Sequence, residues 1–173
     1  MLDADEWLDE RLRAAIAVAD RGDRVDGYAM RRLTYLCGRP IRGAGWGDER
    51  PIRLFRTAAA TLEARPAAGG AAELHERWLV AGDVLELDGT LHHDSYPSLA
   101  SYRTKFARYT SLEAAGLRAT PASVARAAVR AGLRAPYLFV VRGGWRDGWR
   151  GAYVSAGSAL YPAVAAFKAL RKG

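Results

Sequence analysis

Cysteine is nearly absent: Cys37 is the only one in 173 residues. One thiol excludes an internal disulfide and leaves no pair for a zinc site, which fits a reducing compartment. Acidic residues run out halfway along. Residues 101–173 carry 13 Lys or Arg but only Glu113 and Asp147, whereas residues 1–100 carry 13 Arg against 17 Asp or Glu. No zinc-finger spacing, RNP-like strand or helix-turn-helix spacing accompanies the basic half, so nucleic acid is not an expected partner. No basic n-region with an apolar h-region opens the chain, and no secretory signal is read. The 17 uncharged residues 151–167, between Arg150 and Lys168, are mostly Ala, Gly, Ser and Tyr and include Pro162. That is a poor match to a hydrocarbon core ~30 Å thick. The expected location is cytoplasmic, with the inner face of the cell membrane as the surface a basic helical region would meet.

What is present suits one α/β unit of ordinary size, since half the residues are hydrophobic. Leu8, Leu12 and Ile16 recur at helical spacing after a short strand end, with Gly22 placed to stop the helix. Residues 25–37 are rich in β-branched and aromatic residues and predict a strand. A Gly/Pro-punctuated loop, a second short strand "IRLFRT", a small-residue loop "ARPAAGGAAE", and a strand or hairpin around Asp88-Gly89 follow. Beyond residue 97 the pattern is helical. Ser98 and Thr120 are candidate N-caps, Pro121 is a first-turn proline, and Gly132 stands near a helix stop. Arg126, Arg130 and Arg134, at steps of four, form a basic stripe. "RGGWRDGWRG" joins Arg and Trp in the vocabulary of a bilayer interface, or else makes a Gly-rich turn with its Trp side chains packed inward.

Chemistry concentrates at the start of the chain. Residues two apart on a strand share a face, so Asp3 and Asp5 at a strand tip would point together and share one hard divalent cation, Mg²⁺ or Mn²⁺. The same acids could instead cap the following helix. His75 and His93 are candidates for a site rim or a phosphate contact, Arg53 for a phosphate contact or a plain salt bridge, and Trp46 for an apolar platform under a sugar ring or a core residue.

The order "DADE", "GW" before "RLFR", "HE", and "H-x-S-Y" before "K-x-x-R-Y-T" resembles family 2 glycosyltransferases, in the branch that builds lipopolysaccharide cores and related bacterial surface glycans. The resemblance implies the C-terminal part of a Rossmann-like A-type glycosyltransferase fold, with residues 1–97 as the acceptor-side part of the catalytic domain and 98–173 as a basic helical extension. It implies inverting, metal-dependent transfer from a sugar nucleotide to a glycan or lipid-linked acceptor. Asp3 and Asp5 match the D-x-D motif that holds the metal and the donor diphosphate, His93 matches the histidine before "S-Y", and Glu76 in "LHERW" is the candidate base. In the resembling proteins the donor-binding half precedes D-x-D. The expectation is therefore little or no transfer by this chain alone. The alternative is a noncatalytic module that binds anionic lipid or glycan through its basic helices.

Overall fold

The computed structural model describes residues 2–19, 25–47, 49–65 and 75–172, with the side chains of residues 64, 65 and 75–77 excepted. The fold is α/β, built on a mixed sheet. Strands β1 (Glu6–Leu8), β2 (Gly27–Leu36), β3 (Arg39–Pro40), β4 (Ile52–Phe55), β5 (Ala60–Arg65), β6 (His75–Val80) and β7 (Val84–Tyr96) alternate with few helices until residue 98. Then α2 (Leu99–Ala115), α3 (Pro121–Pro136) and α4 (Gly148–Leu170) follow, while α1 (Glu10–Ala19) comes early, between β1 and β2.

The two long strands β2 and β7 lie side by side and parallel at the centre. β1 pairs antiparallel with β7, and β3 and β4 pair antiparallel with the other edge of β2. β5 and β6 form a separate antiparallel ribbon that the sequence pattern did not predict. Helix α1 lies on β7 because Leu12 and Ile16 meet Leu8, Met30, Leu54, Leu87 and Leu91. The pattern around Asp88-Gly89 is one continuous strand rather than a hairpin, broken in register where Met30 pairs Leu87 but Arg31 pairs Thr90. Gly89 takes φ +117°, and a Cβ there would strike the backbone of Leu12, so this glycine lets α1 close onto the sheet.

The two predicted caps form reciprocal capping boxes: Ser98 with Ser101, and Thr120 with Ser123. Gly132 does not stop α3, which continues to Pro136 and passes into a π-helical turn, Tyr137–Val141. Helix α4 runs through Pro162 and buries a face of small residues, including Gly151, Ser155, Ala159, Ala163 and Ala169. Among the described residues, no helix is long and apolar enough to cross a membrane. Strand gives way to helix between Tyr96 and Leu99, yet one core spans the change. Leu36, Ile41 and Ala44 pack with Tyr102, Leu138 and Val154.

The joint between the two parts is made at residues 142–151. Asp147 Oδ2 accepts the N–H groups of Arg42 (3.0 Å) and Gly43 (2.8 Å), and Arg150 donates to the carbonyls of Leu36 (3.0 Å) and Cys37 (3.2 Å). Those carbonyls belong to the β2–β3 turn, where Cys37 (φ +49°) and Gly38 (φ +69°) take the left-handed conformations of a two-residue hairpin. Trp145 and Trp149 do not pack inward; both are exposed.

Two glycine substitutions test this joint with opposite signs. A Cβ at Gly151 would overlap the Gly144 carbonyl, so Gly151→Ala should destabilise by about 1–3 kcal/mol, as overpacking does. A Cβ at Gly132 meets nothing within 4 Å, so Gly132→Ala should stabilise by about 0.5–1 kcal/mol through helix propensity. Urea unfolding midpoints measure both, and equal shifts would contradict the assigned packing.

Candidate functional site

The acidic start does not form a strand tip. Strand β1 begins at Glu6, and Ala4–Asp5 is a turn closed by the Glu6 N–H on the Asp3 carbonyl (3.1 Å) and by the Asp3 N–H on Glu6 Oε2 (3.2 Å). Neither aspartate caps α1. That role falls to Asp9, whose Oδ1 accepts the Leu12 N–H at 2.8 Å. Burial opposes ionisation of Asp9, but the N–H groups of Leu12 and Thr90 outweigh it and lower its pKa.

Alternation along β1 and β7 sorts the neighbouring side chains onto two faces. Trp7 stands opposite His92, their rings stacked at 5.1 Å, and Tyr35 Oη lies 3.0 Å from His92 Nδ1. Glu6 stands opposite His93, on the face that also carries Leu8 and Leu91. Glu6 is buried, and an unpaired carboxylate there would be costly. It is held by Arg53 Nη2 at 2.7 Å, with Arg32 Nη1 at 3.8 Å. The same Arg53 Nη2 donates to Asp3 Oδ2 at 2.9 Å, and Arg32 Nη2 meets Glu49 Oε2 at 2.7 Å. Asp5 Oδ2 lies 3.4 Å from His93 Nε2, and the Asp5 carbonyl accepts the Asp94 N–H at 2.9 Å.

Asp3, Asp5, Arg53 and His93 are therefore brought into one cluster, although the two aspartates face different partners. Their side chains are about half exposed, at 48% and 42%, above an ionic floor of buried Glu6 and part-buried Arg53 and Arg32. Beside that floor is a polar cleft of about 510 Å³ lined by Arg32, Glu49, Arg53 and Trp78. His93 has a pKa lowered by burial first and by Arg32 second, against the opposing pull of Asp5 and Glu6. Its Nδ1 is buried with no hydrogen-bond partner among the described residues.

Glu6, Arg32 and Glu49 were not singled out by the sequence pattern. The signal for Glu6 was its place two residues before Leu8 on a strand, which aims it at the covered face. Arg32 and Glu49 had none, because their pairing is fixed by tertiary register. His75 and Glu76 stand on strand β6, opposite Arg65 and Ala64. Their side chains lie outside the described residues.

Trp46 is not part of this cluster. Its ring lies 5.5 Å from Tyr96 and 6.3 Å from Tyr102, and its Nε1 donates to Ser158 Oγ at 3.3 Å. It sits between two cavities on the helical side. One, of about 650 Å³, is lined by Trp46, Arg130, Leu133, Arg134, Tyr137 and others, and the second, of about 320 Å³, by Trp46 with Tyr96, Tyr102, Phe106 and Tyr161. Burial raises the Tyr102 hydroxyl pKa and pushes that of Tyr161 up to about 12, so both stay neutral.

No protein-family model matches this chain, and no curated protein or solved structure is significantly similar to it. Among the described residues, no group of three or more His, Cys, Asp and Glu side chains is arranged to hold a metal ion. Two carboxylates alone can suffice for Mg²⁺ or Mn²⁺ when phosphate oxygens and water complete the shell. The donors at Asp3 and Asp5 are hard oxygens, half exposed, one paired with Arg53 and the other beside His93.

The lowered His93 pKa has a consequence in the metal-free protein. Below about pH 6.5, its ordinary value, the unfolded chain takes up a proton that the folded chain resists, so stability should fall as pH drops from there toward the depressed folded value. His93→Gln should remove that part of the slope. Urea unfolding between pH 5 and 7 measures it, and parallel slopes for the two proteins would refute the assignment.

Proposed function

We propose that this chain carries the acid cluster of an inverting, metal-dependent glycosyltransferase that moves a sugar from a sugar nucleotide to a glycan or lipid-linked acceptor. The finer fold assignment, the C-terminal part of an A-type glycosyltransferase fold, belongs to the same proposal. The observation that carries it is the convergence of Asp3, Asp5, Arg53 and His93 at one partly open place in the fold, in the motif order that resembles family 2 glycosyltransferases.

Each residue then has a defined task. Asp3 and Asp5 would hold the divalent cation, which supplies positive charge to the departing diphosphate. Arg53, fixed on Glu6, keeps Asp3 oriented from below. His93, kept neutral by burial and Arg32, offers an imidazole to a phosphate oxygen without adding a permanent charge. On transfer, the acceptor oxygen bonds to the anomeric carbon and its proton passes to a base. The bond from that carbon to the phosphate oxygen breaks, and the electron pair leaves with the nucleoside diphosphate. Glu76 on β6 is the residue assigned to take the proton.

Release of nucleoside diphosphate from a panel of sugar nucleotides, with Mn²⁺ and a lipid-linked acceptor, tests the reading in the protein that contains this chain. Asp3→Ala and Asp5→Ala should each lower the rate about a hundredfold, the scale on which loss of one charge-stabilising group is felt. An undiminished rate in Asp5→Ala, or a rate indifferent to chelation of the metal, would overturn it.

A further inference from the structure

The helical half presents a surface that lies apart from the acid cluster. Along α3, Val129 and Leu133 stand four residues apart, and Arg126, Arg130 and Arg134 form a second stripe beside them, while Ala131 and Leu138 turn to the core. The apolar stripe is wide open: Val129 is 67% exposed, Leu133 73%, Val140 62% and Val141 67%. Tyr137, Trp145 and Trp149 extend it, all exposed. Single apolar residues on a surface are ordinary, but seven large ones exposed between Val129 and Trp149 are a concentration that a contact surface would use.

Charge identifies what it contacts. No acidic residue lies between Glu113 and Asp147, and Asp147 is turned inward onto the N–H groups of Arg42 and Gly43. The Arg146 and Arg150 guanidiniums stand over the Trp145 and Trp149 rings, at 5.4 and 4.5 Å. Aliphatic side chains flanked by arginines and paired with interfacial tryptophans match the layered chemistry of a bilayer surface, apolar below and anionic at the headgroups. Because no described helix can cross a membrane, the match is to a helix that lies on one.

We propose that α3 and the turn that follows it dock on an anionic lipid bilayer, with Val129, Leu133, Val140 and Val141 entering the acyl boundary and Arg126, Arg130 and Arg134 held at the phosphates. The 650 Å³ cavity is bounded by Arg130, Leu133, Arg134 and Tyr137 of this same face, so docking brings its mouth to the lipid. The inference rests on this surface alone and stands whether or not the transferase reading holds.

Vesicle flotation tests it, comparing phosphatidylglycerol-containing vesicles with phosphatidylcholine alone. The chain should float with the former, not the latter, and be released by high salt. Leu133→Glu with Val140→Glu should weaken binding about tenfold or more, and replacing the three arginines by Ala about fivefold per arginine. Both variants alter exposed side chains, so far-UV circular dichroism and the unfolding midpoint should be unchanged. Trp145→Phe with Trp149→Phe should abolish the lipid-induced blue shift in fluorescence.

Failure to float with either vesicle, or binding indifferent to Leu133→Glu with Val140→Glu, would overturn the proposal. Equal flotation with phosphatidylcholine alone would overturn the anionic-lipid assignment. A concentration-dependent dimer abolished by the same double variant, without flotation, would show that a second copy covers this face.

Discussion

Everything on the helical side depends on how residues 142–151 grip the backbone of the sheet. The Asp147 carboxylate accepts two N–H groups of the loop after β3, the Arg142 carbonyl accepts a third from Ala44, and Arg150 donates to two carbonyls of the β2–β3 turn. Backbone groups in such places must find partners or cost free energy, and here the partners come from about a hundred residues away. The grip also needs space. At Gly43 a Cβ would meet the Gly143 backbone and at Gly151 the Gly144 carbonyl, so only glycine allows these approaches, while at Gly144 it would press on Ser155 Oγ. Trp46 lies in the loop so held, and its cavities exist because that loop is pinned against α4.

A second constraint operates on the β1 side of the sheet. Glu6 is a carboxylate taken out of water, and two arginines from β2 and β4 compensate it. Arg53 serves Glu6 and Asp3 together, and Arg32 serves Glu6 and Glu49, so four neighbours gather around one buried acid. Asp3 and Asp5 remain half exposed because that floor supports them without covering them.

The exposed face of α3 follows from packing. Its inward positions include the small residue Ala131, and α4 answers with its own stripe of Gly, Ala and Ser. Helices that meet through small residues approach closely and leave no room for Val129 or Leu133 between them. The large apolar residues are therefore on the outside by construction, beside the arginines.

Periodicity, caps and turn chemistry were legible from the sequence alone. The 25–37 strand, the "IRLFRT" strand and both capped helices follow from residue spacing, because these are local properties of a few neighbouring side chains, whereas around Asp88-Gly89 the spacing left strand and hairpin open and the parallel pairing with β2 chose the strand. Also legible was the clustering of Asp3, Asp5 and Glu6, although not its geometry. Tertiary structure alone decided that Asp9 rather than Asp3 or Asp5 caps α1, that Arg53 serves Glu6 and Asp3 together, that Trp46 joins Tyr96 and Tyr102 rather than the acids, and that Arg150 points inward while Trp149 does not. Each choice pairs groups distant in the chain, and a hydrogen bond or ion pair is decided by ångström-scale register across strands and helices, which residue spacing along one segment does not specify.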